Sequence, residues 1–266
     1  MTVELTYHGW SCFTLKTPGG RTLVFDPNWT NPFGSPLAAP EAFAEVDLCL
    51  VTHGHFDHIQ DVPALMRRTR TTLVASPEVC RFLRDTHGIA AHRAREIELD
   101  RSLEWNGLRV TTFEWDHRIV DTKKMFAARP EAKAQLSGLH FSNPYDARRM
   151  GFTVTLEDGR RVTNYCEGFN DQTRFDRVRA VGDRDRPDVV VAAAQLDYPA
   201  HVAAAAAILQ PRRLVLFHPH SEYFAFIGLP SLAPSEFIRA VRGAAPGVEV
   251  EAVEPGRRLT LPPAHP

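Results

Sequence analysis

The chain has 266 residues, 44% of them hydrophobic and 24% charged, a balance that excludes a disordered chain, a collagen-like repeat and a disulfide-dense mini-protein. That length buries a full core without disulfide staples. Lys and Arg number 31 against 32 Asp and Glu, a net charge of -1, which gives no footing for a non-specific nucleic-acid binder.

In chain order, residues 3–7 and 12–16 alternate apolar and polar and predict two strands. Pro18-Gly19-Gly20 turns the chain into a third strand, 21–25, which ends at Asp26-Pro27. A loop follows, set by Asn28, Asn31, Pro32, Gly34, Ser35 and Pro36. Residues 47–52 form a continuous apolar run and predict a buried central strand. A helix over 63–70 and a strand over 73–75 come next. Ser76-Pro77 then predicts a capped helix running to about residue 86. Residues 96–99 and 108–114 read as strands, whereas 118–149 lack strand character and hold a helix at 131–136. A hairpin over 152–156 and 161–165 turns at Asp158-Gly159. Residues 189–193 and 214–217 read as buried strands, with an alanine-rich helix over 200–209 between them. A helix over 235–242, capped by Ser235, and strands over 248–253 and 258–261 close the fold.

The expected architecture is one α/β domain over 1–266, with a hint of two duplicated β-rich halves. The apolar stretch 189–209 is interrupted by Gln195, Asp197, Pro199 and His201, which argues against a membrane span. The four cysteines, Cys12, Cys49, Cys80 and Cys166, form no C-x-x-C pair and read as free thiols of a reducing compartment. No basic stretch followed by an apolar run opens the chain, so a cytoplasmic protein is expected.

The chemistry concentrates in Thr52-His53-Gly54-His55-Phe56-Asp57-His58, directly after the buried strand at 47–52. Imidazole nitrogen and carboxylate oxygen suit zinc, iron and manganese. One turn cannot aim all of these side chains at one ion. Alternation points His53 and His55 one way and leaves Asp57 and His58 for a second ion, roughly 3.5–4 Å from the first.

His-x-His-x-Asp-His after an apolar strand resembles the signature of the metallo-β-lactamase superfamily. With His8-Gly9-Trp10 and the strand ending in Asp26-Pro27, the chain is similar to the branch of ascorbate-phosphate lactonases and related metal-dependent hydrolases. The resemblance implies a four-layer αββα sandwich with metals at one edge between the sheets. It implies His117 as the third histidine of the first metal and His218 for the second, with His220 as a weaker competitor. The family's bridging carboxylate falls on Glu167, where the pattern has aspartate; Asp171 is a lesser substitute. The implied cofactors are two divalent metal ions, zinc first, with iron or manganese as alternatives. The implied mechanism is attack by a metal-bound hydroxide on a small ester, lactone, amide or phosphoester. Asp57 would orient the nucleophile and carry its proton, and Asp26 would support a ligand histidine.

The segment 118–149 is expected to act as a cap that sets specificity. It is net basic (Arg118, Lys123, Lys124, Arg129, Lys133, Arg148 and Arg149 against Asp121, Glu131 and Asp146), which suits an anionic small molecule. His140, within it, is a candidate acid or substrate contact, and Phe126, Phe141, Tyr145, Trp29 and Phe33 are candidate walls. Cys166 reads as a buried inert thiol beside Glu167. The competing reading is an iron-dependent oxidative enzyme on the same fold. Expected partners are a small-molecule substrate and a second copy of the chain in a homo-oligomer, with no nucleic acid and no membrane.

Overall fold

A computed structural model of the protein describes residues 2–30, 40–119, 148–218, 224–225, 229 and 231–262. Two seven-stranded sheets face each other. The first runs β14 (Arg258–Thr260), β1 (Glu4–Gly9), β2 (Cys12–Lys16), β3 (Thr22–Phe25), β4 (Leu48–Leu50), β5 (Thr72–Ala75) and β6 (Ala94–Glu96). The second runs β13 (Glu249–Val253), β12 (Arg213–Phe217), β11 (Val189–Ala193), β10 (Arg161–Cys166), β9 (Met150–Thr155), β8 (Leu108–Glu114) and β7 (Ser102–Trp105).

Each sheet is antiparallel on one side and parallel on the other. Strands β14 to β3 alternate in direction, and β3 to β6 run parallel. Strands β7 to β10 alternate, and β10 to β13 run parallel. This repetition fits the duplication suspected from the sequence. The exception is β14, which follows the second sheet in the chain yet pairs with β1, Leu5 opposite Leu259.

The layers follow from a period of two. In β11, Val189, Val191 and Ala193 enter the core between the sheets, while Val190 and Ala192 face the helix side. In β12, Val215 and Phe217 face inward, and Leu214 and Leu216 face the helices. The Phe217 ring centroid lies 5.2 Å from Phe13 and 5.8 Å from Tyr7, tying the sheets together.

Helices cover both outer faces. α1 (Phe56–Ile59), α2 (Val62–Arg68) and α3 (Pro77–His87) lie on the chain of the first sheet. Val62, Leu65 and Met66 of α2 and Val79, Cys80 and Leu83 of α3 pack on its outer face. Ser76 caps α3 as expected, its Oγ accepting from Val79 N at 3.2 Å. The second sheet carries α4 (Phe175–Asp185), α5 (Pro199–Leu209) and α6 (Pro234–Ala244). Alanines on α5 let α4 and α6 approach closely on either side.

The sandwich is therefore the expected four-layer α/β architecture, with corrections in detail. Residues 102–105 pair as an unanticipated edge strand, the predicted 96–99 strand sits at 94–96, and α4 was not anticipated. Ser235 is not the cap of α6: the helix starts one residue earlier on proline, and no side chain caps it. The predicted helix at 131–136, and 120–147 of the predicted cap, lie outside the described residues. Among those residues, no helix is long and apolar enough to cross a membrane.

One packed histidine makes stability depend on pH. His8 Nε2 is bonded to Thr14 Oγ1 at 2.8 Å, and its ring lies 4.9 Å from that of Phe43. Burial, aided by the Arg258 charge, pulls its pKa down to about 4. The unfolded chain therefore takes up the proton first as pH falls below about 6.5, and the folded state follows only near 4. The stability this ring contributes is full above pH 6.5 and lost as pH falls towards 4, on the order of 3 kcal/mol. Urea unfolding at pH 7 and pH 4.5 should show that loss, and His8→Asn should flatten it.

Candidate metal centre

The centre forms where the carboxyl ends of the strands meet between the sheets. β3 delivers Asp26, β4 delivers residues 52–58, β8 delivers His117, and β10 delivers Cys166 and Glu167. The two sheets are joined at this edge, where Met150 N donates to Thr52 O at 2.9 Å. A β-carbon added at Gly168 would lie 2.9 Å from Trp115 Cβ and 3.0 Å from Tyr165 O. Only glycine lets the β8 and β10 ends close up enough to place His117 beside Glu167.

The hydrogen bonds determine which ring nitrogens keep a lone pair. The Asp26 carboxylate, fully buried, can only accept. It accepts from Thr52 N and Thr52 Oγ1, both at 2.8 Å, and from His58 Nδ1 at 2.9 Å. Thr52 Oγ1, having given its proton to Asp26, accepts from His53 Nδ1 at 3.0 Å. His117 Nδ1 donates to the Arg118 carbonyl at 2.9 Å. With these outer nitrogens engaged, the Nε2 atoms are the ones His53, His58 and His117 would offer to a ligand. Support of this kind from outside the ligand set sets tautomer and orientation in metal sites.

These side chains converge. His53, His55 and His117 offer ligand atoms that all lie within 4.8 Å of one another, and so do His53, His58 and Cys166. His53 Nε2 lies 2.9 Å from His55 Nδ1, close to the ligand-to-ligand edge of roughly 3.3 Å that bonds of about 2.0 Å give in a tetrahedral site. His117 Nε2 lies 3.1 Å from Glu167 Oε2. His58 Nε2 is sealed from solvent and has no hydrogen-bond partner among the described residues; Asp57 Oδ2 is 3.6 Å away.

The electrostatics agree. Burial, with His58, His55, His117 and Arg149 nearby, holds His53 well below its ordinary pKa, so its ring is neutral. Burial also lowers His117, against the pull of Glu167. At His58 burial opposes the charge, but Asp57 and Asp26 outweigh it and hold the pKa well above the ordinary value. That corner favours positive charge, whether a ring proton or an ion. Burial pushes the Cys166 thiol up to about 11, so it stays protonated at neutral pH. A nitrogen and oxygen donor set with a buried, partnerless imidazole nitrogen fits a divalent transition metal.

The sequence-predicted residues therefore fall into three sets. His53, His55, His117 and Glu167 come together, and Asp57 and His58 lie beside them. His53 belongs to both ligand groups, so the expected division into His53 with His55 and Asp57 with His58 is not clean. His218 belongs to neither group among the described residues; its Nε2 lies 3.2 Å from Ser231 Oγ and 3.3 Å from Leu232 O. His140 and His220 lie outside the described residues. Of the predicted walls, Trp29 stacks its ring on Phe43 at 4.9 Å in the helix-side core. Trp115 was not anticipated and stands at 5.4 Å from the His53 ring and 5.7 Å from the His117 ring.

Arg118 is the main departure. The sequence counts it among the basic residues of the cap that would face an anionic substrate, yet its side chain is 7% exposed and its NH1 lies 2.9 Å from Glu167 Oε2. The burial of a guanidinium comes from partners 49 and 77 residues away, Glu167 and Gln195, which no local pattern signals.

Known proteins resemble this chain in sequence and in fold. A family model described as a beta-lactamase superfamily domain matches residues 21–219. A protein of Rubrobacter xylanophilus named UPF0173 metal-dependent hydrolase is 29% identical over 259 residues, covering 96% of each chain. The structure of Igni18, titled a novel metallo hydrolase from Ignicoccus hospitalis, superposes with a TM-score of 0.73 at 22% identity, covering 98% of this chain and 99% of that one. CmlA, titled a diiron beta-hydroxylase from Streptomyces venezuelae, superposes with a TM-score of 0.63 at 15% identity, covering 98% of this chain and 54% of that one.

Proposed function

The chain belongs to the β-lactamase superfamily, and from that premise we propose that it is a metal-dependent hydrolase of a small, anionic ester, lactone, amide or phosphoester. The observation that carries the reading is the convergence of His53, His55 and His117, with burial holding the His53 and His117 pKa values down. These three residues would hold the metal, zinc first among the candidates, with Glu167 beside them. When bound, such a cation lowers the pKa of water and polarises a carbonyl or phosphoryl oxygen.

The chain's own residues supply the remainder. Thr52 and Asp26 fix the tautomers of His53 and His58. Asn28 Nδ2 donates to the Asp57 carbonyl at 2.8 Å and holds the turn that carries the carboxylate. Asp57, whose Oδ2 lies 3.6 Å from His58 Nε2, is the proposed residue to orient the attacking water and take its proton. Trp115, itself buried, sets its ring 5.4 Å from that of His53 and 5.7 Å from that of His117. His140 is the proposed acid or substrate contact, and the basic 118–149 segment the proposed specificity element.

The test is metal analysis of protein purified without chelators, with hydrolysis assays on aryl esters, lactones and phosphoesters. Zinc or manganese that co-purifies, with activity lost on chelation and restored by metal, is expected. No metal and no hydrolysis after metal-replete expression would overturn the reading. The iron-dependent oxidative alternative draws on the glutamate that stands where the family has aspartate. Iron with absorption that responds to dioxygen would select it.

A further inference from the structure

Glu167 already has a cation. Its side chain is 2% exposed, and its Oε2 accepts from Arg118 NH1 at 2.9 Å. The same NH1 donates to Gln195 Oε1 in a short bond, and Gln195 Nε2 returns a bond to the Glu167 carbonyl at 3.0 Å. Gln195 is fully buried, and the guanidinium carbon sits 5.3 Å from the centroid of the Phe224 ring. A ring of hydrogen bonds thus locks the guanidinium onto Glu167, the buried carboxylate 3.1 Å from His117 Nε2.

Among the described residues, the remaining donors for a second ion are few. His218 turns Nε2 towards Ser231 and Leu232. The triple of His53, His58 and Cys166 borrows His53 from the first group. Asp57 Oδ2 and His58 Nε2, 3.6 Å apart, are two donors, below the three protein ligands usual for zinc. A divalent ion brought to Glu167 from the side away from His117 would also face a fixed guanidinium where water screens little.

We infer that the centre takes one metal ion per chain, at His53, His55 and His117, and that Arg118 supplies the second positive charge as a positioning residue for Glu167. The inference rests on the metal-centre reading above. Removing the guanidinium would leave Glu167 buried and uncompensated, a strong attractor for a cation.

The experiment uses zinc alone as the probe. Wild-type protein, Arg118→Gln, Arg118→Met and Arg118→Lys are loaded with excess zinc, desalted and counted by native mass spectrometry and elemental analysis. One zinc per chain is expected in wild type and in Arg118→Lys, which keeps the charge. Two are expected in Arg118→Gln or Arg118→Met, either of which suffices if the other fails to fold. Two zinc ions in wild type, or one in the charge-removing variants, would overturn the inference and leave the hydrolase reading standing. No zinc in wild type would overturn both. A cobalt titration of wild type gives an independent count: the visible bands saturate at one equivalent if the inference holds and at two if it fails.

Discussion

Asp26→Ala is expected to lower the unfolding free energy by about 3–5 kcal/mol and to weaken metal binding about 10- to 100-fold. The carboxylate serves three donors that have no water to turn to: Thr52 N, Thr52 Oγ1 and His58 Nδ1. Each buried donor left unsatisfied costs on the order of 1–3 kcal/mol. The metal effect arises one bond further in. Without Asp26 the Thr52 hydroxyl is free to donate to His53 Nδ1, which takes the proton off that nitrogen and puts it on the nitrogen that should face the metal. Asp26→Asn separates the two effects. Its amide oxygen can still serve Thr52 N, but its NH2 group meets the His58 Nδ1 proton head-on. Urea unfolding should show a smaller loss for Asn than for Ala, while zinc affinity falls for both. Unchanged zinc affinity in Asp26→Asn would mean that the tautomers are set some other way.

His53→Ala is expected to abolish metal retention and to lower kcat/KM by at least about 10³-fold, the rate equivalent of several kcal/mol of lost charge stabilisation. Among the predicted ligands His53 alone belongs to both groups of converging donors, so its loss damages more than that of His55. Stability should respond far less. Thr52 Oγ1 keeps its bond to Asp26 when the imidazole is gone. The urea midpoints of metal-free wild type and metal-free His53→Ala should therefore be close, while activity collapses. Activity within tenfold of wild type in His53→Ala would remove this residue from the centre.

How much of this was readable beforehand depended on how local the cause was. The strand at Leu48–Leu50 and the histidine turn after it are written in consecutive residues. So is α3, where Ser76 and Pro77 mark a start that needs no tertiary help. The α4 helix was missed because only Phe175, Val178 and Val181 of its sequence give an apolar signal. Edge strand β7 is four residues long and half exposed, and it forms by pairing with β8. In the centre, the cluster of histidines was legible, and so was a contact between Asp26 and one of them, His58. What no spacing could give was the wiring: Arg118 reads as a surface charge until Glu167 and Gln195 fold around it. The orientation of His218 towards Ser231 is equally a matter of tertiary contact.

The pairing of β14 with β1 bears on how the protein reaches this state. Residues 4–6 find their partners at 258–260, across the whole of the second half. Arg213 NH1 holds the Thr260 carbonyl and Arg160 NH1 those of Leu261 and Pro262, so the returning segment is tied to the second half as well. While the chain emerges from the ribosome, the first sheet has an open edge at β1, a bare row of amides and carbonyls that invites pairing with a neighbouring chain. Until residues 258–260 have arrived, the order of synthesis and the order of assembly pull against each other, and the nascent first half is the species most exposed to aggregation.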